Sequence, residues 1–567
     1  MIAAMKSPIL SCAMVITLAL GALNAVYADS ATWNLNPQSN QWFLDANWTP
    51  ASAPRGESSI ATFGVSNVTD VRLPFANPWW EISGITFSPG ASAYTLGTRV
   101  FNGQPLRQLL MSGAGVVNNS GNTQTFVTES KFTSFSEIVF TDNATAGSNV
   151  VYDNGGFVVF FDSSTASDAT YVTSHAKEDN ANPPFVLFGD DSTADNATFV
   201  NLGGTTPERG GGQVLFQDNS MAGTATFVNQ GGVGISAAGS SMFFQHSSSA
   251  DRGIFTIDGG SAAATTGGLV YFGDSTTAEK AVLIANGGTN GGEGGAIQFW
   301  FNSTGGQARM KLFGNASLDI SPHLGEGVSV GSIEGDGMIF LGKGFGEGRL
   351  TVGTNNANTI FSGVIQDGGI VGGSGGSLTK SGTGTLRLTG ANTYTGGTIV
   401  EAGTLLVGNS SGSGSGTGMV QVNGGTLGGK GIISGPVTVG TGSGTGAFLA
   451  PSKGASSATT LTIQSALTFK ADGIYTYKLN SQRARADQII ANGVTIESGA
   501  QFNFVAVTNN TLTPGTVFTA IRNTSGNPIA GNFGNLPDGS TFTVAPNNYQ
   551  ASYSGGDGND LTLTVIP

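Results

Sequence analysis

Five aspartates each stand two positions after a phenylalanine: Asp142, Asp162, Asp190, Asp218 and Asp274, with His246 in the same place after Phe244. Carboxylates recurring at one position of a repeat can do two kinds of work. As a column they would bind calcium or grip a polysaccharide. As turn residues they would cap backbone N–H groups at a corner. Stacked in successive coils they would lie about 5 Å apart, and like charges that close repel unless solvated or bridged by a cation. The turn is the preferred reading, and the column stands as the candidate ligand face.

A second constellation closes the chain. Gly555-Gly556-Asp557-Gly558-Asn559-Asp560 matches the first six positions of a calcium-binding nonapeptide. Asp557, Asn559 and Asp560 are thus candidate calcium ligands, and calcium is the only cofactor the sequence raises. The motif occurs once, and the next apolar position is out of register, with Leu561 and Leu563 flanking Thr562. A glycine-rich hairpin explains it as well. His175, His246 and His323 are far apart and fit no metal spacing. The glycines lack the Lys and following helix of a phosphate loop. An enzyme would be a β-helical polysaccharide-degrading one, with Asp190, Asp191 and Asp218 meeting Arg209 of the Thr205–Gly212 insert. Such a site breaks a repeat with long loops, whereas this array is regular there. The expectation is a non-enzyme.

What positions these residues is a repeat. Phe188, Phe216, Phe244 and Phe272 are 28 apart, as are Phe199, Phe227, Phe255 and Leu283. Glycine pairs keep the same rhythm at Gly203-Gly204, Gly231-Gly232, Gly259-Gly260 and Gly287-Gly288. A fixed period of this size means stacked like units, each burying its apolar face against its neighbours. The apolar pieces are short, rich in Phe, Val and Thr, and bounded by turn formers, which is strand chemistry. The class predicted is all-β: a parallel β-solenoid, read as a right-handed β-helix, with an N-terminal cap and a C-terminal antiparallel β-domain. About eleven coils at roughly 4.8 Å each predict a rod on the order of 50 Å.

Charge and address narrow the function. The net charge is −13 with only 10% charged residues, and 23 Lys and Arg form no basic stripe, which argues against nucleic acid. Lys6 followed by the apolar run near Cys12 to Leu23, with small residues before Asp29, reads as a secretory signal peptide at 1–28. The single cysteine lies inside it, so the mature chain would have no disulfide. No second apolar segment predicts a membrane span, and the product should be exported, to the outside, the outer surface or the periplasm.

The chain divides further. Residues 29–130 hold Trp33, Trp42, Trp48, Trp79 and Trp80, and form the expected cap; the competing reading is an aromatic platform for sugars. Residues 131–334 carry the 28-residue repeat, 335–454 are dense in Gly and Thr, and 455–567 alternate as a C-terminal β-domain.

Within the third segment, Ser377-Leu378-Thr379-Lys380-Ser381-Gly382-Thr383-Gly384-Thr385-Leu386 leads through Leu388-Thr389-Gly390-Ala391-Asn392-Thr393-Tyr394-Thr395-Gly396-Gly397-Thr398 to Glu401-Ala402-Gly403-Thr404-Leu405. This run, within 377–408, closely resembles the autotransporter-associated β-strand repeat, also called the passenger-associated transport repeat. The stretch Val422-Asn423-Gly424-Gly425-Thr426-Leu427-Gly428-Gly429 looks like the coil that follows it, and the closing residues are similar to the ends of proteins that carry it. The resemblance implies an exported bacterial β-helical passenger and no catalytic residues. The family's membrane barrel has no counterpart here, so export by the general route is expected. The function expected is that of an adhesin-like or structural surface protein, with polysaccharide or cell-surface components as partners. The alternatives are a polysaccharide-binding module and the β-helical enzyme.

Overall fold

Runs such as Phe-Val-Leu-Phe, closed by Gly and Asp, are too short for a helix and suit a half-buried strand. The computed structural model describes residues 30–73, 80–98, 107–131, 134–178, 182–453 and 458–567, so the signal-peptide stretch and Trp79 lie outside the described residues. Phe185–Phe188, Gln213–Phe216, Ser241–Phe244 and Leu269–Phe272 are strands that bury every second residue. They pair in parallel and in register, Phe188 on Phe216 and Phe216 on Phe244. One 28-residue period is therefore one coil. A tight corner and an isolated bridge position (Thr193, Met221, Ser249, Thr277) lead to a second stack. That stack contains Thr198–Asn201, Thr226–Asn229, Ile254–Ile257 and Val282–Ala285. A glycine-rich return loop closes the coil. The return loops press backbone on backbone: a Cβ on Gly231 would collide with the Gly259 carbonyl.

The core is two columns of rings. Phe160, Phe188, Phe216, Phe244 and Phe272 stack with centroids 4.8 Å apart. Phe199, Phe227 and Phe255 stack at 4.7 and 4.8 Å. Phe216 meets Phe227 edge-on at 5.9 Å, tying the two sheets together. Full burial of each ring contributes about 2 kcal/mol, and favourable ring geometry adds about 1 kcal/mol per pair.

Parallel stacking reaches well beyond the 28-residue array. It makes about 17 coils, a rod of roughly 80 Å at ~4.8 Å per coil. The eleven coils expected from sequence were too few because coil length varies while strand register persists. Leu386 pairs with Leu405, and Leu405 with Leu427, across shorter coils. The antiparallel pairing expected over 455–567 is found in a short hairpin at Leu479–Ala486 and at the end of the segment, and the rest continues the parallel stack. Thr460–Ile463 pairs in parallel with Gln488–Ala491, and Gly473–Asn480 with Gln501–Thr508. Val517–Asn523, Asp560–Ile566, Asn547–Gly555 and Thr541–Val544 pair antiparallel, in that spatial order, and a short hairpin joins Gly473–Asn480 to Arg485–Ala486. Alternation reports which face of a strand is buried, not its direction, so it could not distinguish the two.

The N-terminal tryptophans seal the first coil. Trp33, Trp42 and Trp48 are at most 1% exposed and pack on Phe63 at 5.6–6.0 Å. The Trp48 indole N–H donates to the Trp42 carbonyl at 2.6 Å, and that of Trp80 to the Pro54 carbonyl at 2.8 Å. These rings are core, and the sugar-platform reading for them ends here. No helix among the described residues is long and apolar enough to cross a membrane.

Candidate functional site

The acidic column is a ladder of corner caps. Asp142, Asp162, Asp190, Asp218, His246 and Asp274 all adopt left-handed φ, between 48° and 58°. Asp and Asn tolerate that region because their short side chains bond locally. Here the bond runs to the preceding coil. The Asp142 N–H donates to Asp162 Oδ2 at 3.1 Å, Asp162 N–H to Asp190 Oδ2 at 3.2 Å, and Asp190 N–H to Asp218 Oδ2 at 3.3 Å. The His246 N–H donates to Asp274 Oδ2 at 2.9 Å, and His246 Nδ1 lies 2.9 Å from Asp218 Oδ1. Each of these bonds sets a backbone N–H against one carboxylate oxygen, which offsets part of the like-charge repulsion along the column.

Arg209 does not join this column. It lies on the return loop ahead of Gln213–Phe216, near His175, whose pKa is lowered by burial and then by the Arg209 and Lys177 charges. Asp190, Asp191 and Asp218 follow the strands at their other ends. The convergence that the enzyme reading requires is not formed.

The C-terminal motif is a hairpin. Gly555 pairs with Asp560 between the last two strands, and the Gly558 N–H donates to the Gly555 carbonyl at 2.9 Å. The Asp560 carboxylate accepts the Asn523 N–H at 2.9 Å, and burial raises its pKa. The Asn559 amide donates to Ser525 O at 2.6 Å. Asp560 is thus tied to the end of the neighbouring strand, while Asn559 engages the following turn through its NH2 and keeps Oδ1 without a hydrogen-bond partner among the described residues. Among the described residues no three His, Cys, Asp or Glu side chains gather as a metal site would need.

The structure brings together two sets of residues not singled out in the sequence. One is an outward strip running parallel to the acid ladder: Leu187, Leu215, Phe243 and Tyr271 are paired coil to coil on the outer face, and Trp300 follows Tyr271 at 5.7 Å between ring centroids. The 28-residue spacing of Leu215, Phe243 and Tyr271 could have revealed it. The other is a polar clamp inside the Gly/Thr-rich segment. The Asn392 side chain accepts the Ile365 N–H at 2.8 Å and donates to Gly414 O at 2.7 Å, joining the coils on either side. The Tyr394 hydroxyl meets Thr398 Oγ1 at 2.5 Å, and Thr398 donates on to Ser415 O. The Lys380 ammonium is buried against the carbonyls of Ser381, Gly382 and Ala402, and burial lowers its pKa to about 8.

This clamp lies in the segment that comparison with known families identifies. Residues 378–407 match the passenger-associated-transport-repeat, so the chain carries that repeat, as its residue pattern implied. No curated protein matches the chain. The crystal structure of the Haemophilus influenzae Hap adhesin aligns with 90% of this chain at 10% identity and a TM-score of 0.27. This chain spans 63% of the length of that one.

Proposed function

We propose that this protein is an exported passenger-type β-solenoid that works without catalysis, as an adhesin-like or structural rod at the bacterial surface. The passenger-associated transport repeat, set within an unbroken parallel stack, carries this reading. Its mechanism is geometric. A rod of about 17 coils holds corners and outer strand faces away from the cell, and each coil repeats the same chemistry one step further out. The separation of Arg209 from the acid ladder supports a non-enzymatic role.

The test has two arms. The full-length chain is produced in a Gram-negative host, and intact cells are labelled with antibody and challenged with protease. Beads coated with the purified protein are then applied to cells and abiotic surfaces, while a polysaccharide panel is followed for new chain ends. Surface labelling and bead retention without new ends is the expected outcome. Cytoplasmic retention of the folded chain, or chain ends above a heat-killed control, would overturn it.

A further inference from the structure

The period of the array slips by one residue between Phe272 and Phe299, which are 27 apart. Both phenylalanines stay in the core stack, 4.9 Å apart. The residues after them also stay in column: the Trp300 N–H donates to Phe272 O just as the Gly273 N–H donates to Phe244 O. Phe301 thereby falls at the acid-ladder position and takes its left-handed backbone, φ 55°. That conformation is costly for an aromatic residue, and no carboxylate cap comes with it. A strained position over-determined by its surroundings is a pointer to function.

The rings around Phe301 form one stepped strip on the outer face. Centroid distances are 5.8 Å from Phe243 to Tyr271, 5.7 Å from Tyr271 to Trp300 and 6.1 Å from Trp300 to Phe301. All four are partly exposed, Phe301 by 37%. The strip is set in place by its neighbours. Tyr271 lies over Gly273, where a Cβ would meet its ring and hydroxyl. The Trp300 indole N–H donates to Gln298 Oε1 at 3.0 Å. Polar groups border the rings: the Gln217–Gln245 amide pair, and Asp274, an exposed residue whose Oδ2 takes the His246 N–H and whose second oxygen is left to accept a hydroxyl.

We propose that Phe243, Tyr271, Trp300 and Phe301 form a binding site for a neutral, extended β-linked glycan running along the rod axis. The spacing is the argument. Phe243, Tyr271 and Trp300 step by about one coil each, and an extended β-linked chain advances by about one coil spacing per sugar, so three successive pyranoses each meet one ring, with Phe301 beside Trp300 in the same coil widening the last contact. Aromatic faces take the apolar C–H side of a sugar, while the amides and Asp274 take its hydroxyls. The acid ladder alongside repels anionic chains. This deepens the surface-binding reading by naming its ligand class.

The full-length protein is titrated with cellohexaose, mannohexaose and chitohexaose, and with hexagalacturonate as an anionic contrast, by calorimetry and tryptophan emission. A neutral hexasaccharide should bind and shift the emission, since Trp300 is partly exposed while Trp33, Trp42, Trp48 and Trp80 are buried. Trp300→Ala and Tyr271→Ala should each weaken binding about tenfold, with a modest fall in the unfolding midpoint that leaves both variants fully folded at the temperature of the titration. Phe301→Gly should raise that midpoint, by relieving the left-handed strain, and still weaken binding. The proposal is overturned if none of the neutral probes binds, if only hexagalacturonate binds, or if binding survives both alanine substitutions. It is also overturned if the strip instead drives self-association that both substitutions abolish. Bead retention without glycan binding would sink this inference and leave the surface role standing.

Discussion

Asp190 Oδ2 accepts the backbone N–H of Asp162 at 3.2 Å, although 28 residues separate them. Asp162, Asp190, Asp218 and Asp274 each support the corner of the coil before their own in this way, from a backbone conformation most residues avoid.

Substitutions at Asp190 should separate these two contributions. Asp190→Asn should be nearly neutral, because the amide oxygen still accepts the bond and Asn tolerates positive φ. Asp190→Gly should lose the cap alone. Asp190→Ala should lose the cap and strain the backbone, costing about 2 kcal/mol. Urea midpoints in the order Asn, Gly, Ala, highest first, would bear this out; Ala at or above Gly would show that the backbone conformation is not constrained.

Phe216 sits between Phe188 and Phe244, each 4.8 Å away, with Phe227 edge-on. Phe216→Ala should cost about 3–5 kcal/mol. Because each coil touches only its neighbours, the loss should appear as faster hydrogen exchange in the surrounding coils rather than along the whole rod. Uniform loss of protection would indicate that the array unfolds as one unit.

His323 provides a pH dependence. Its Nδ1 accepts the Gly325 N–H at 3.1 Å, so Nε2 carries the proton and lies 3.1 Å from Ser303 O. Burial lowers its pKa below the ordinary value of 6.5. The unfolded chain takes up a proton as pH falls through about 6.5 and the folded chain does not, so stability is complete above that pH and declines below it. His323→Gln should flatten the part of this decline that other groups do not cause. Identical denaturation midpoints against pH in both proteins would refute the assignment.

Lys380 titrates on the alkaline side. Its folded pKa, lowered to about 8, lies beneath the ordinary 10.5. Between these values the unfolded chain holds the extra proton, so stability should climb as pH rises through that window. The climb should be absent from Lys380→Met.

Trp48 tests the end of the rod. Trp48→Ala removes a fully buried indole and its hydrogen bond to Trp42 O, and should cost about 3–5 kcal/mol. The uncapped strand edges should then drive end-to-end association, visible as growing species in light scattering. A monodisperse variant would show that the cap is not what keeps the ends apart.

The columns of phenylalanine, the glycine return loops and the transport repeat were legible in the chain alone. In-register stacking puts like residues at like positions, so a spatial column is also a period. The same logic failed where coil length drifted, and the rod proved longer than the strict period implied. Direction and face were beyond it too. Leu461-Thr462-Ile463 alternates the same way whether its partner runs parallel or antiparallel, and Trp48 and Trp300 are the same residue type with opposite fates. Which way a carboxylate turns at Asp190, toward solvent or onto the coil before, depends on a backbone angle and a neighbour 28 residues away. The meeting of Tyr271, Trp300 and Phe301 depends on strand register that holds across a coil one residue shorter than its neighbours. Those outcomes belong to the packed coil, because only there do residues distant in sequence come within hydrogen-bond and ring-contact range.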